Sequence, residues 1–370
     1  MTIRPRICQL IAIAALVATA ACDDPVEETP PCIGEGVICH VAGTGAQAFN
    51  GDDLPPAESA LNLPSAARVG PDELLYIMDF NNMRLRCRIA SGVLDTIAGS
   101  GVHAFARINR NALESPLENP IDFDFLPDGR IVMVSLHDPR LLLVDSDGTL
   151  LSIAGTGDVG DGGDGLEAHR ATFVELAAIA VAGDGSIFVS DDGANRVRVL
   201  RPDGNVYPYA GTGDKGAAGD GGPALDAQLN HPEGIAVDAD GNLYIADTYN
   251  HRIVRVDAVS GNIDTVAGTG SEGLSGDGGP ALEAALHWPS GVDVAPDGTL
   301  YIADTLNHRV RHIDGAGTIT TVAGSDRGHA GDGGPATAAQ LKGPRYIDVT
   351  DDALYIADQQ NQVVRMVHLR

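Results

Sequence analysis

The stretch His231–Gly270, HPEGIAVDADGNLYIADTYNHRIVRVDAVSGNIDTVAGTG, decides the fold. By period it holds four short strands. Ile235–Val237 and Leu243–Ala246 flank the turn Asp238-Ala239-Asp240-Gly241-Asn242, a hairpin signal. His251–Asp257 alternates polar and apolar, and Ile263–Val266 follows a second turn at Ser260-Gly261-Asn262. The first two strands are apolar on both faces, so this antiparallel sheet must be covered on both sides.

Repetition supplies the cover. An Ala-Gly pair closes each unit at Ala42, Ala98, Ala154, Ala210, Ala267 and Ala323, at spacings of 56, 56, 56, 57 and 56 residues. The centre of the second strand recurs as Tyr76, Val132, Phe188, Tyr244, Tyr301 and Tyr355. Six four-stranded units at one period predict an all-β fold, a six-bladed β-propeller of four-stranded antiparallel blades. Gly36–Gly45 aligns with a fourth strand that no first three precede, and the chain ends after three strands of a last unit. Residues 36–43 are therefore expected to complete the last blade and close the ring, which removes two sheet edges.

The 370 residues would allow two domains, but the period places 36–370 in one ring. The formal net charge of −27 is spread through the loops, which disfavours nucleic acid and anionic lipid as partners. Residues 1–21 read as an export leader, with Arg4 and Arg6 before the apolar run Leu10–Ala21, too short to span a bilayer. The ending Thr19-Ala20-Ala21-Cys22 resembles a bacterial lipobox, which implies lipidation of Cys22. Ala18-Thr19-Ala20 equally fits ordinary signal cleavage, which would release the protein. The lipoprotein reading is preferred because residues 22–35, acidic and proline-bearing, follow as a polar tether. It places the protein in the cell envelope, on the membrane only through its lipid; secretion is the alternative. An exported chain favours disulfides. Cys32 and Cys39 are the best pair by proximity, and Cys87, in a third strand, is expected to be a buried thiol.

Between blades lie segments such as Gly213–Pro232, with Gly219-Asp220-Gly221-Gly222-Pro223-Ala224 and then Leu225, Ala227 and Leu229. The Asp-Gly-Gly part predicts a tight turn, and the Ala/Leu spacing a short helical turn on the blade edge. Tyr244-Ile245-Ala246-Asp247-Thr248 with Asn250-His251-Arg252, and Tyr301–Thr305 with Asn307-His308-Arg309, resemble NHL repeats. With Thr265–Gly270 and the GDGGPA turns they are similar to the long-repeat type of bacterial exported proteins and teneurin-like extracellular modules. Asn361-Gln362-Val363, Ala194-Asn195-Arg196 and Asn82-Met83-Arg84 depart from Asn-His-Arg. The resemblance implies a six-bladed propeller used mainly for binding. It does not imply a reaction, because the fold carries scaffolds and enzymes alike.

Strand direction alternates within a blade, so the loop between strands two and three and the inter-blade loop emerge on one face. Asp247, Asn250, His251, Asp304, Asn307 and His308, with Asp220, Asp277 and Asp332 of the Asp-Gly-Gly turns, are expected around one mouth of the channel, as the face a partner would meet. A structural reading stands beside this one. Asp79, Asp191, Asp247, Asp304 and Asp358 would accept backbone N–H groups at the turn, and Arg84, Arg140, Arg196, Arg252 and Arg309 would brace neighbouring blades. Residues repeated in most blades serve every blade. His251 and His308 come from separate blades, too far apart to share a metal, and each Asp-Gly-Gly turn offers calcium few carboxylates. No cofactor is therefore assigned, calcium being the one ion the turns suggest.

A second candidate breaks the repeat. The middle of the innermost strand reads Arg68, Asp124, Ala180, Ala236, Asp293 and Asp348 in blades one to six. The four charged residues, Arg68, Asp124, Asp293 and Asp348, fall on one arc of the channel wall and are the candidate site for a cation or small ligand. The alternative is that Arg68 simply pairs with a neighbouring Asp, or that these side chains sit in channel water. The leading function is a non-enzymatic, monomeric binding or scaffold propeller for a protein, peptide or glycan. The alternative is a calcium- or zinc-dependent hydrolase, lactonase or lyase working in the channel, as the resemblance to six-bladed metal enzymes implies.

Overall fold

The computed structural model describes residues 32–370; Cys22, the leader and most of the tether lie outside the described residues. The chain forms six antiparallel sheets arranged as the blades of a propeller. Blade four shows the plan: Pro232–Val237, Leu243–Asp247, Arg252–Val256 and Ile263–Ala267 pair in chain order, from the channel to the outside. All five residues of the second strand are buried, as a sheet covered on both faces requires. Tyr244, Ile245 and Ala246 pack towards neighbouring blades, and burying a large apolar side chain of this kind contributes roughly 1.5–3 kcal/mol.

The ring closes as the repeat requires. Ile38–Ala42 pairs antiparallel with Val363–His368 and is the fourth strand of the last blade, in register Ile38↔Val367 and His40↔Arg365. Cys32 and Cys39 are joined in a disulfide at the entry to this strand, with Cα atoms 5.8 Å apart. His368 Nε2 lies 2.8 Å from the carbonyl oxygen of Cys32, which clasps the lead-in of the closing strand to its partner strand. Cys87 is a buried thiol.

The inter-blade segments cap the outer edges. In three blades a two-residue fifth strand, Arg110–Asn111, Leu166–Glu167 or Gly279–Pro280, pairs with the outermost strand; Leu54↔Leu94, Pro223↔Asn262 and Val37↔Pro335 do the same elsewhere. A free strand edge is a template for aggregation, and each blade covers its own. The short helical turns are 3-10 turns, for example Ala224–Asp226 and Ala281–Glu283.

Around the channel the inner strands of blades four, five and six approach very closely. A Cβ added at Gly234 would lie 2.5 Å from the carbonyl oxygen of Ser290, and one at Gly291 would lie 2.5 Å from that of Arg345. Only glycine fits at these positions, and the equivalent place in blade six carries the buried Tyr346. Its hydroxyl crosses the channel to donate to the carbonyl oxygen of Ala177, 2.9 Å away in blade three.

Candidate functional site: the loop face and channel mouth

The turn between strands two and three is built alike in five blades. A strand-ending Asp is fully buried, a one-turn 3-10 helix follows, and the next residue is left-handed: Met83, Asn195, His251, His308 or Gln362. Asp247 accepts the N–H of Asn230 at 2.7 Å, Asn250 Nδ2 at 2.8 Å and Arg252 Nε at 2.8 Å. Asp304 does the same with His287, Asn307 and Arg311. Asn250 and Asn307 each also donate to an inter-blade carbonyl, Gly216 or Gly273, at 2.7 Å, which fixes both loops on one face. Burial raises the carboxyls of Asp247 and Asp304, and pushes those of Asp79, Asp191 and Asp358 up to about 6, against the hydrogen bonds they accept.

Bracing by arginine is found one place further in than the repeat motif suggests. Arg84, Arg196 and Arg309 donate to nearby carbonyls of their own blade and its trailing loop. The fully buried guanidiniums are Arg86, Arg198, Arg311 and Arg365, two residues on. Arg365 reaches Asp332 at 2.7 Å and the carbonyls of Gln340 and Ala330; Arg311 reaches Asp277 at 2.7 Å. Blade four carries Val254 at that position, and there Arg252 takes over, pairing with Asp247.

This places the Asp-Gly-Gly carboxylates. Asp220 accepts the N–H and hydroxyl of Thr265, Asp277 bonds Arg311 and the hydroxyl of Thr321, and Asp332 bonds Arg365. These turns run along the outer strand of the following blade, on the perimeter rather than around the channel mouth. The reason is the sheet edge, which needs the turn as its cap.

His251 and His308 join neighbouring blades. His251 Nδ1 accepts the backbone N–H of Trp288, and His308 Nδ1 that of Gly343, each at 3.2 Å. Asn195 and Gln362 occupy the same position and accept from His231 and Leu63. Thr248 and Thr305 add a hydroxyl bond to the carbonyls of Pro289 and Pro344 in the following blade, each 2.8 Å long.

Deeper in the channel, Arg68 bonds both oxygens of Asp122 at 3.2 Å, a partner the sequence comparison missed because it sits one pleat away from Asp124. Asp124 accepts the N–H of Val181, Asp293 that of Val349, and Asp348 that of Val69. Each bond crosses from one blade to the next. Burial lifts the Asp293 and Asp348 carboxyls, and their mutual proximity lifts Asp293 further while Arg68 opposes the shift in both. Burial alone would lower the Arg68 guanidinium, but the surrounding carboxylates outweigh it and raise it. Among the described residues, the acidic, His and Cys side chains that converge within 4.8 Å in a group of three are Cys32, Cys39 and His368, two of them spent in the disulfide. The channel carboxylates do not converge in this way.

At the loop-face mouth the repeat is broken in blades three to six, and sequence reasoning missed it. His231, Tyr249 and Trp288 form a three-ring stack, with centroids 4.2 Å and 4.6 Å apart. Tyr249 is 40% and Trp288 37% exposed. His231 Nδ1 lies 3.1 Å from Asp192, and Lys215 Nζ lies 2.8 Å from His231 Nε2. On the inner strands, Arg345 of blade six donates to Glu233 of blade four at 3.1 Å, and its guanidinium lies 5.3 Å from the centre of the Tyr346 ring. Burial raises the Tyr249 phenol, and the charges of Asp192, Glu233 and Glu175 add to the shift. Comparing the second residue of each inner strand (Ser65, Ile121, Ala177, Glu233, Ser290, Arg345) would have found the pair.

Fold and repeats define the class: a six-bladed β-propeller built from NHL repeats. The family model of the NHL repeat matches residues 229–256, and that of the teneurin NHL domain matches residues 255–329. The chain is 29% identical over 291 residues to NHL repeat-containing protein 2 of Bos taurus, covering 70% of this chain and 40% of that protein. It is 35% identical over 162 residues to teneurin-3 of Mus musculus, covering 40% of this chain and 6% of that protein. Among solved structures, a Bacteroides thetaiotaomicron protein of unknown function superposes with a TM-score of 0.66 at 16% identity, covering 90% of this chain and 75% of that one. A Xanthomonas campestris gluconolactonase superposes with a TM-score of 0.57 at 14% identity, covering 93% and 99%. At such identities these two likenesses are of fold alone.

Proposed function

We propose that the protein is an extracytoplasmic binding module, tethered through a lipid on Cys22, that meets its partner with the loop face over blades three to five. The observation that carries the reading is the exposed stack of Tyr249 and Trp288 at the channel mouth. Aromatic side chains exposed together beside fixed charged pairs are the usual composition of a recognition surface. The turns built alike in five blades support it by contrast, since their polar groups are used in joining the ring.

The test compares capture of cell-envelope components by the whole chain, by Tyr249→Ala/Trp288→Ala, and by Asp220→Ala, which touches only the perimeter. Loss in the first variant with retention in the second supports the reading; equal capture by all three overturns it. Cys22→Ser releasing the protein from the membrane fraction supports the anchor, and unchanged retention removes it.

A further inference from the structure

Val363–His368 starts at the loop-face turn and ends at the opposite face of the ring, where it meets the lead-in of the closing strand. There Cys39 pairs with Met366, and the N–H of His368 donates to the carbonyl oxygen of Val37. Residues two apart share one side of a strand, so Cys39 and His368 stand diagonally on the same side of the sheet. The disulfide brings Cys32 beside them, its Cα 5.8 Å from that of Cys39. Both sulfur atoms and one ring nitrogen of His368 lie within 4.8 Å of one another. A tetrahedral zinc, with Zn–S about 2.3 Å and Zn–N about 2.0–2.1 Å, sets such atoms roughly 3.5–3.8 Å apart, so the three need only part slightly to hold one. The hydrogen bond of His368 has the form found around metals. Its Nε2 donates to the carbonyl oxygen of Cys32 at 2.8 Å and so carries the proton, which leaves the lone pair on Nδ1. A metal-bound imidazole is held in this way, its other N–H given to a carbonyl or carboxylate.

We propose that Cys32, Cys39 and His368 form a zinc site that alternates with the disulfide, two thiolates and an imidazole binding Zn²⁺ once the bond is reduced. A dithiol reductant supplies the two electrons; it leaves as its own disulfide, and Cys32 and Cys39 become thiols. Zinc then displaces one proton from each thiol, and solvent takes the fourth position beside the half-buried Cys32 and His368. In the reverse direction a small disulfide takes the two electrons and leaves as two thiols, the Cys32–Cys39 bond re-forms, and Zn²⁺ is expelled. Two sulfurs and an imidazole suit zinc, whereas calcium and magnesium take oxygen ligands. Either bridge ties Cys32 to Cys39 at the entry to Ile38–Ala42, so the closing strand stays pinned in both redox states.

The whole chain is reduced with dithiothreitol, desalted under argon and titrated with Co²⁺ and Zn²⁺. The oxidised chain and Cys32→Ser/Cys39→Ser, which keeps every other cysteine, are titrated alongside. The reduced wild type is expected to bind cobalt in a single site, with a thiolate charge-transfer band and tetrahedral d–d bands that Zn²⁺ abolishes. The oxidised chain and the double variant show neither band. Zn²⁺ raises the melting temperature of the reduced wild type and leaves that of the oxidised one unmoved. His368→Ala, checked by melting of its oxidised form, weakens zinc at least about ten-fold, the least that loss of a supporting hydrogen bond costs at a metal site. X-ray absorption of the zinc-loaded wild type needs no variant to fold, and should find sulfur at about 2.3 Å and nitrogen at about 2.0–2.1 Å. Cobalt spectra alike in the reduced wild type and the double variant overturn the site. So do a shell of oxygen alone, sulfur without nitrogen, or equal zinc affinity in His368→Ala.

Discussion

His251 Nδ1 accepts the backbone N–H of Trp288, and through that bond blade four holds the lead-in to blade five. The bond requires a neutral imidazole with its proton on Nε2. The position tolerates Asn195 and Gln362 for the same reason: each offers a side-chain oxygen to the same N–H. In four of the five blades the left-handed residue supplies an acceptor, which need not be a histidine; Met83 of blade one is the exception.

Acid should therefore loosen the ring at two joints. Burial lowers the pKa of both His251 and His308 below the ordinary 6.5. A base with a lowered folded pKa contributes stability that is present above 6.5 and lost as pH falls through its folded value. Thermal melting of the wild type is expected to decline on the acid side of 6.5, with about 1 kcal/mol at stake per bond. His251→Gln/His308→Gln keeps both acceptors and should match the wild type at pH 8 while losing much of that acid slope. An unchanged slope would reject the assignment.

The buried arginines allow a second test. Arg365 is fully buried between Asp358 and Asp332, so Arg365→Met leaves carboxylates without their counter-charge. Breaking a buried pair from one side costs about 3–5 kcal/mol. Urea unfolding should show that loss, and Arg365→Met/Asp358→Asn should regain part of it. Val254 at the equivalent place in blade four is harmless because Arg252 already serves Asp247. Val254→Met enlarges a fully buried side chain without stranding a charge and is expected to cost about 1–3 kcal/mol, the range for overpacking.

The channel carboxylates work in the opposite sense to the histidines. Asp293 is raised from 3.8 to about 7, chiefly by burial and then by Asp348. An acid with a raised folded pKa contributes stability that is fully present below 3.8 and lost as pH rises through about 7. Asp293→Asn stays neutral, so its stability relative to wild type should rise between pH 5 and pH 8. Asp293 is only partly buried, so solvent screening limits the gain to about 1–2 kcal/mol. Calorimetric melting at the two values checks the sign; a variant equally shifted at both would refute it.

The ring was legible in the chain because its cause is periodic: an Ala-Gly pair every 56 or 57 residues and a second strand apolar on both faces. The closing strand was legible for the same reason, as a fourth strand without its first three. What periodicity could not reveal is which acid meets which base. Arg68 and Asp122 are 54 residues apart and two positions out of step, and only the pleat brings them together. The aromatic stack escaped because His231 and Trp288 hold the same place, just before the inner-strand proline of blades four and five, while Tyr249 comes from the turn of blade four. No other repeat carries rings at both places. They become neighbours only where adjacent blades meet.

The closing strand yields the last prediction. Ile38 and Ala42 are fully buried, and Ile38–Ala42 has partners on both sides: Val363–His368 in the sheet, and the edge segment at Gly334, whose carbonyl accepts the N–H of Ile38. Ile38→Ala should cost about 2–5 kcal/mol as a cavity in the last blade. Cys32→Ser/Cys39→Ser opens a short loop and should cost about 2–3 kcal/mol, leaving the strand in place. Removing residues 32–45 is a different matter. It strips the partner from Val363–His368, exposing a strand edge whose apolar residues Val364 and Val367 are buried in the closed ring. That deletion should aggregate on expression, whereas the two substitutions stay soluble with lowered urea midpoints. A deletion variant that melts like the wild type would show that the ring does not depend on this strand.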